Sequence, residues 1–414
     1  MEDEEAGRSQ ALSVSSGPED ASRKGSVMSG PKAVRQYESK FAEWFGADYA
    51  FAFWKGRVAL YAILKAMGIG SGDEILLPGY TCVMNVNPIK YLGAKPIYVD
   101  IEPTTYNIDA TLLRDRISPN TKAIIAQHTY GYPCDMDSVM DIAASSSIPV
   151  IEDCCLALGS RYKGKMVGTL GRAAYFSFQW NKPYTTGMGG MAITSDADLA
   201  QRIEALRSSE MCAPSIKEVA MLWAQLVAHK LFVYPRTTAL IQRLFRYLTK
   251  KGLVVGSSSP REFVPAMDSD FFKAMSTVQA RLGLRQLKKI EQNLAHRKKA
   301  AQLYDRLLEQ KGWPARKYDS LTMEPVMVRY PVRIAEKNKA LAESATAGIE
   351  LGSWFECPLH PIETPLAAYD YTEGLCPESE KASREVVNLP LHHRVDEETA
   401  HRTVDFITRF AAAP

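Results

Sequence analysis

No stretch of the sequence approaches the roughly 18 consecutive apolar residues of a membrane-spanning helix, although 46% of its residues are hydrophobic. Charge of one sign is not in excess either: 50 Lys and Arg face 47 Asp and Glu, a formal net charge of +3. No basic stripe interleaved with aromatics is present to track a nucleic-acid backbone, so a nucleic-acid partner is not expected. The seven cysteines are odd in number and include no CxxC pair, which argues against a disulfide framework and a zinc site. Reduced thiols and no metal are expected, with Cys154 and Cys155 read as small apolar packing at a strand end. The N-terminus MEDEEAGRSQALSVSS lacks the basic start and apolar block of a secretory signal, so a cytoplasmic protein is expected. Residues 1–27 are rich in Ser, Gly and acidic residues and poor in aromatics. They read as a disordered extension, because they cannot bury enough surface to offset the entropy of ordering.

Length and patterning suggest what is there. At 414 residues the chain exceeds one comfortable core, which favours two domains. AVRQYESKFAEWFG has helical apolar spacing and a Gly stop. Short β-rich runs then alternate with helical stretches: YAFAFW, RVALYAILKAMGI, DEILLPG, NVNPIKYLG, KPIYVDI, TKAIIAQH, DMDSVMDIAASSS, IPVIED and AAYFSF. This grammar predicts an α/β fold built on a mainly parallel sheet, with the site just after the strands. Residues 28–265 are expected to form the large domain and 266–414 the smaller one. Residues of about 213–262 interrupt the pattern with two helix-like segments and read as an inserted hairpin. Val219, Leu222, Trp223, Leu226 and Val227 stripe its first segment. Ile241, Leu244, Phe245 and Leu248 stripe its second, beside Arg243, Arg246, Lys250 and Lys251. A core or dimer face is one reading of these stripes; contact with a membrane or a lipid-linked substrate is the other.

Two opposite charges stand at strand ends. Asp153 follows the apolar PVIE, where a half-buried carboxylate calls for a cation. Lys182 lies in FSFQWNKPYTTGMGG, a loop crowded with aromatics, where desolvation lowers an amine's pKa and makes it available for imine formation. Taken singly, the first reads as a helix cap and the second as a surface charge. WKGRVAL adds a strand, a Gly and a first helical turn, whose free N–H groups suit a phosphate.

Taken in order, SGPKAVRQYESKFAEWFGADYAFAF, GIGSGDEILLPGYTCV, KPIYVDIEPTTYNID, QHTYGYPCDMD, IEDCCLALGS, SFQWNKPYTTGMGG, MSTVQARLGLRQL and NLPLH resemble the DegT/DnrJ/EryC1/StrS sugar aminotransferases. The resemblance runs from about residue 29 to the C-terminus. It implies the pyridoxal-phosphate (PLP)-dependent transferase fold type I: a large domain with a mainly parallel, seven-stranded-type sheet and a smaller C-terminal α+β domain. It also implies Lys182 as the imine lysine and Asp153 as partner of the pyridine nitrogen. Ser177 and the backbone N–H groups of Gly56 and Arg57 are expected to bind the cofactor phosphate, and His128 to lie beside the ring. The family implies a homodimer with shared active sites that aminates a keto group, usually on a nucleotide-linked sugar, with glutamate or glutamine as donor. Relatives that dehydrate sugars carry His in place of the lysine, unlike this chain; a regulatory or scaffold homologue is the non-enzymatic alternative. Five positions depart from the family pattern. Lys55 and Arg57 flank the phosphate turn in place of neutral residues. Leu156 stands where a polar residue usually meets the ring. Cys82 replaces the stacking aromatic, a role left to Tyr80 or to no residue. Lys273 is the polar candidate nearest to where the partner subunit usually supplies an Asn.

Overall fold

The computed structural model describes residues 31–411 apart from 181, 233–259, 315, 362 and 363. The expected N-terminal extension and the second hairpin segment lie outside the described residues.

Helix α1 (Lys32–Phe45) buries Val34, Tyr37, Phe41 and Phe45, the spacing of one helical face, and stops where Gly46 turns left-handed at φ 76°. Strand β1 (Tyr49–Phe53) and helix α2 (Gly56–Ala66) follow, then β2 (Glu74–Pro78), α3 (Val83–Tyr91), β3 (Lys95–Val99) and β4 (Thr121–Gln127). Next come α4 (Met136–Ser145), β5 (Val150–Asp153), β6 (Ala173–Ser177), β7 (Gly190–Thr194) and α5 (Ala197–Glu210). The strands form one seven-stranded sheet in the order β1-β7-β6-β5-β4-β2-β3. Only β7 runs against the rest, so the carboxyl ends of six strands share an edge, the expected place for a site.

Alternation along the strands sorts side chains onto two faces. Ala50, Leu76, Ile124, Val150 and Phe176 share one core with α1 and α4. Phe51, Ile75, Ile125, Ile151 and Tyr175 share the other with α2, α3 and α5. Burial on both faces is why these strands read as nearly continuous apolar runs.

The first segment of the insertion is helix α6 (Ile216–Phe232). Leu222 is fully buried, with Val219 and Leu226 packed beside it against Trp54, Met188 and Trp180. This stripe is thus partly core, but Trp223, read as part of it, is 57% exposed. Helix α7 (Thr277–Leu287) lies beyond the expected boundary at 265/266, yet it packs on α1: a Cβ at Gly283 would fall 2.6 Å from the Tyr37 ring. Helix α8 (Ile290–Gln310), the antiparallel pair β8 (Tyr330–Arg333) and β9 (Val386–Leu389), and α9 (Glu397–Ile407) build a third core. That core also takes in Tyr80, Tyr106 and Tyr130 from the large domain. No helix among the described residues is long and apolar enough to cross a membrane.

Candidate active site

Asp153 ends β5 and is 2% exposed. In register it faces Gln127, the last residue of β4. Its Oδ1 accepts from the Cys155 N–H at 2.8 Å and its Oδ2 from Asn85 Nδ2 at 2.6 Å. Asn85, on the first turns of α3, also reaches Thr81 Oγ1 at 3.0 Å, and Thr81 donates to Gln127 Oε1 at 2.5 Å. This polar chain fixes the carboxylate without neutralising it: Asp153 has no ion-pair partner among the described residues. A buried carboxylate in that state is costly, and a protonated pyridine nitrogen is the cation the site fits.

The Lys182 loop is pinned from several sides. The Lys182 N–H donates to Gln179 O at 3.0 Å and the Thr186 N–H to Phe178 O at 3.0 Å. Asn293 and Gln286, from α8 and α7, donate to the carbonyls of Pro183 and Thr185, and Tyr184 Oη donates to Gly283 O. Gly187 sits at φ 81°, where a Cβ would also press on Leu222 at 3.0 Å. Lys182 lines a small cavity with Cys155, Leu156 and Ser177. Its Nζ lies 4.9 Å from the centroid of Trp354. Burial lowers its pKa below the usual lysine range; the Cys155 thiol, the Asp153 carboxylate and the Cys82 thiol oppose this, and Arg329 adds to it. The result is an amine that loses its proton more readily than a surface lysine, while a carboxylate acts on it from nearby.

The phosphate turn is built by close packing. A Cβ at Gly56 would fall 2.7 Å from Ser177 Cβ, and one at Gly190 would fall 2.4 Å from Lys55 O, so both positions require glycine. Gly56 opens α2, whose first N–H groups have no helical acceptor and lie beside Ser177. Buried acid, amine and phosphate cradle together fit pyridoxal phosphate.

Several expected residues are placed elsewhere. His128 follows Gln127, so the alternation turns it to the opposite sheet face from Asp153. There it is fully buried, with Nε2 3.0 Å from Glu152 Oε2 and Nδ1 accepting from the Cys134 N–H at 2.9 Å. Because Nδ1 accepts, the proton sits on Nε2, and the imidazole braces the fold instead of flanking a ring. Tyr80 is fully buried in an aromatic cluster with Tyr106, Tyr130 and Phe355, its Oη 2.8 Å from Tyr130 Oη; Trp354 is the ring that faces Lys182 Nζ at 4.9 Å. Arg57 pairs with buried Glu262, and Lys55 lies 3.7 Å from the same carboxylate. Burial, then repulsion from Arg57, brings Lys55 down to about 8 against the pull of Glu262. Lys273 is held by Glu218 and Asp270, each at 2.6 Å.

Cys82 lies near Lys182 and Asp153. It precedes α3, and its thiol, raised by burial, feels Arg57, Lys182 and Asp153. Asn85, Gln127, Glu262, Arg329 and Trp354 were not singled out from the sequence. Asn85 and Gln127 adjoin the quoted motifs GYTCV and QHTYG and were open to notice there; the other three reach the site only through long-range folding.

The model of the DegT/DnrJ/EryC1/StrS aminotransferase family matches residues 17–231 and 241–408. The chain is 32% identical over 377 residues to GDP-perosamine synthase of Caulobacter vibrioides, covering 90% of this chain and 88% of that protein. It is 31% identical to UDP-2-acetamido-2-deoxy-3-oxo-D-glucuronate aminotransferase of Pseudomonas aeruginosa, covering 90% and 89%. A solved aminotransferase from Psychrobacter cryohalolentis has the same fold, with a TM-score of 0.71 at 24% identity over 92% of this chain and 91% of that one. The chain belongs to the DegT/DnrJ/EryC1/StrS aminotransferase family. It is an aminotransferase of fold type I, and its cofactor is pyridoxal phosphate.

Proposed function

We propose that this enzyme aminates the keto group of a nucleotide-linked sugar, with glutamate or glutamine as donor, in a homodimer whose subunits share the active sites. The observation that carries the reading is the pairing at one sheet edge of a buried carboxylate lacking a cation, Asp153, with a desolvated amine, Lys182. The GDP- and UDP-linked names of the relatives support a nucleotide carrier.

When bound, pyridoxal phosphate supplies an electron-withdrawing ring that accepts an amino group from the donor and yields it to the acceptor. Asp153 keeps the proton on the pyridine nitrogen, and the Asn85 amide and the Cys155 N–H hold its carboxylate in place. Lys182 Nζ would hold the cofactor and, as a desolvated amine at the reacting carbon, would move the proton there. The N–H groups of Gly56 and Arg57 and Ser177 Oγ would hold the phosphate. Trp354 walls the amine from one side and restricts water.

Incubating the protein with glutamate and a panel of nucleotide-linked keto-sugars, with products read by mass spectrometry, tests the proposal. An aminated sugar and stoichiometric 2-oxoglutarate are expected. Loss of water from the sugar without 2-oxoglutarate would instead identify a dehydratase.

A further inference from the structure

Trp354 borders Lys182 and also a second cation. Arg329 Cζ lies 5.4 Å from the centroid of the same indole, and Lys182 Nζ lies 4.9 Å from it. Arg329 is half-buried and makes no hydrogen bond or ion pair among the described residues. Its nearest acid influence, Glu350, is itself joined to His392 at 2.8 Å. Behind it stands Arg297, 5% exposed, on α8. Arg297 spends its donors on Asn293 Oδ1 at 3.0 Å and on the carbonyls of Met327 and Val328 at 3.3 and 2.9 Å. It meets no carboxylate there. Arg329 thus shares an indole with the desolvated amine, repels it and is repelled in turn by Arg297, and of the two guanidinium groups only Arg297 has hydrogen bonds made among the described residues.

Gly352 makes room for this arrangement. A Cβ there would fall 2.7 Å from Arg329 Nη1, although the backbone is not in the left-handed region. The same Cβ would fall 3.2 Å from Asn388 Cβ, so the missing side chain leaves space for both the guanidinium and Asn388 and does not reflect a turn requirement. A half-buried planar fork of donors backed by an indole suits a bidentate oxyanion.

We propose that Arg329 forms an oxyanion subsite of the active site, with Trp354 as its wall, that binds a carboxylate or phosphate of the substrate. The inference rests on the aminotransferase reading given above. The shared indole places the subsite within reach of an amino acid whose nitrogen is at the Lys182 position, which favours the carboxylate of the amino donor. The diphosphate of a sugar nucleotide offers the same chemistry.

Calorimetric titration of the full-length holoenzyme with 2-oxoglutarate, and separately with a nucleoside diphosphate, tests the subsite without relying on turnover. Arg329→Gln should weaken one of the two ligands by tenfold or more. Arg329→Lys, which keeps the charge but loses the fork, should fall between Gln and wild type. Gly352→Ala, which retains every charged group, should weaken the same ligand by displacing the guanidinium, and it serves if the Arg329 variants fold poorly. Loss confined to 2-oxoglutarate assigns the subsite to the donor, and loss confined to the nucleotide assigns it to the sugar carrier. Unchanged affinity for both ligands in a folded variant overturns the proposal. A wild-type protein that binds both ligands yet transfers no nitrogen would count against the functional reading and leave the subsite standing.

Discussion

Arg57 and Glu262 form an ion pair whose side chains are 2% and 3% exposed, 205 residues apart in sequence. The Glu262 carbonyl also accepts from Asn87 Nδ2 and Tyr369 Oη, each at 2.8 Å, so the end of the insertion is tied to the phosphate turn. Removing one member of a buried pair typically costs about 3–5 kcal/mol. Arg57→Thr is therefore expected to lower thermal stability by that order. Cofactor affinity should change less than threefold, because backbone N–H groups, not the guanidinium, serve the phosphate. A tenfold weaker PLP affinity at unchanged melting temperature would show that the guanidinium is a phosphate ligand after all.

Borohydride reduction of the holoenzyme is expected to fix the cofactor to Lys182. Peptide mapping checks this directly, and an adduct on another lysine would remove Lys182 from its assigned role.

Asp153→Asn keeps the acceptor for the Cys155 N–H but cannot hold a proton on the pyridine nitrogen. Folding should survive while transamination falls by more than tenfold, above about 1.4 kcal/mol of barrier. Steady-state rates at saturating cofactor measure the effect; a smaller loss would make the residue structural.

His128→Ala should behave oppositely. It strips one donor from buried Glu152, which still accepts from the N–H groups of Gly168, Leu170 and Gly171 at 2.7 Å each. A stability loss of about 1–3 kcal/mol is expected, with the absorbance of the bound cofactor unchanged. A shifted absorbance maximum in the folded variant would return His128 to the ring.

Glu38 on α1 supplies a pH test. Burial pushes its carboxyl up from 4.5 to about 7, against the pull of Arg207 and the Ala52 N–H. A raised folded pKa means the contribution to stability is fully present below about 4.5 and is lost as pH rises through about 7. Glu38→Gln, a mimic of the protonated form, should flatten the stability profile in that window. Melting temperatures of both proteins between these limits decide it, and parallel profiles would refute the shift.

Much of the site was legible because its parts are local. Asp153 follows an apolar strand, Lys182 sits in a loop dense with aromatics and glycines, and Gly56 opens a helix directly after β1. Each follows a strand within a contiguous stretch, so order along the chain was enough to place them near one sheet edge, while their expected roles came from the ordered resemblance. The helical spacing of α1 and its Gly46 stop were readable for the same reason.

What the chain order could not convey is which side chains share a face and which distant segments return. His128 is adjacent to Gln127, but strand register puts only Gln127 beside Asp153. Tyr80 was a candidate for stacking until the third core claimed it, leaving Trp354 next to Lys182. Glu262 and Arg329 reach the site from far along the sequence, and no local pattern marks an acid or a guanidinium as destined for burial. By itself the sequence determined the alternation of elements and the placing of Asp153 and Lys182 after strands of that alternation, since both depend on neighbours within a few residues. The partners of Arg57, the true surroundings of His128 and the second cation beside Trp354 were decided by tertiary packing, because burial and charge pairing are properties of segments brought together in space.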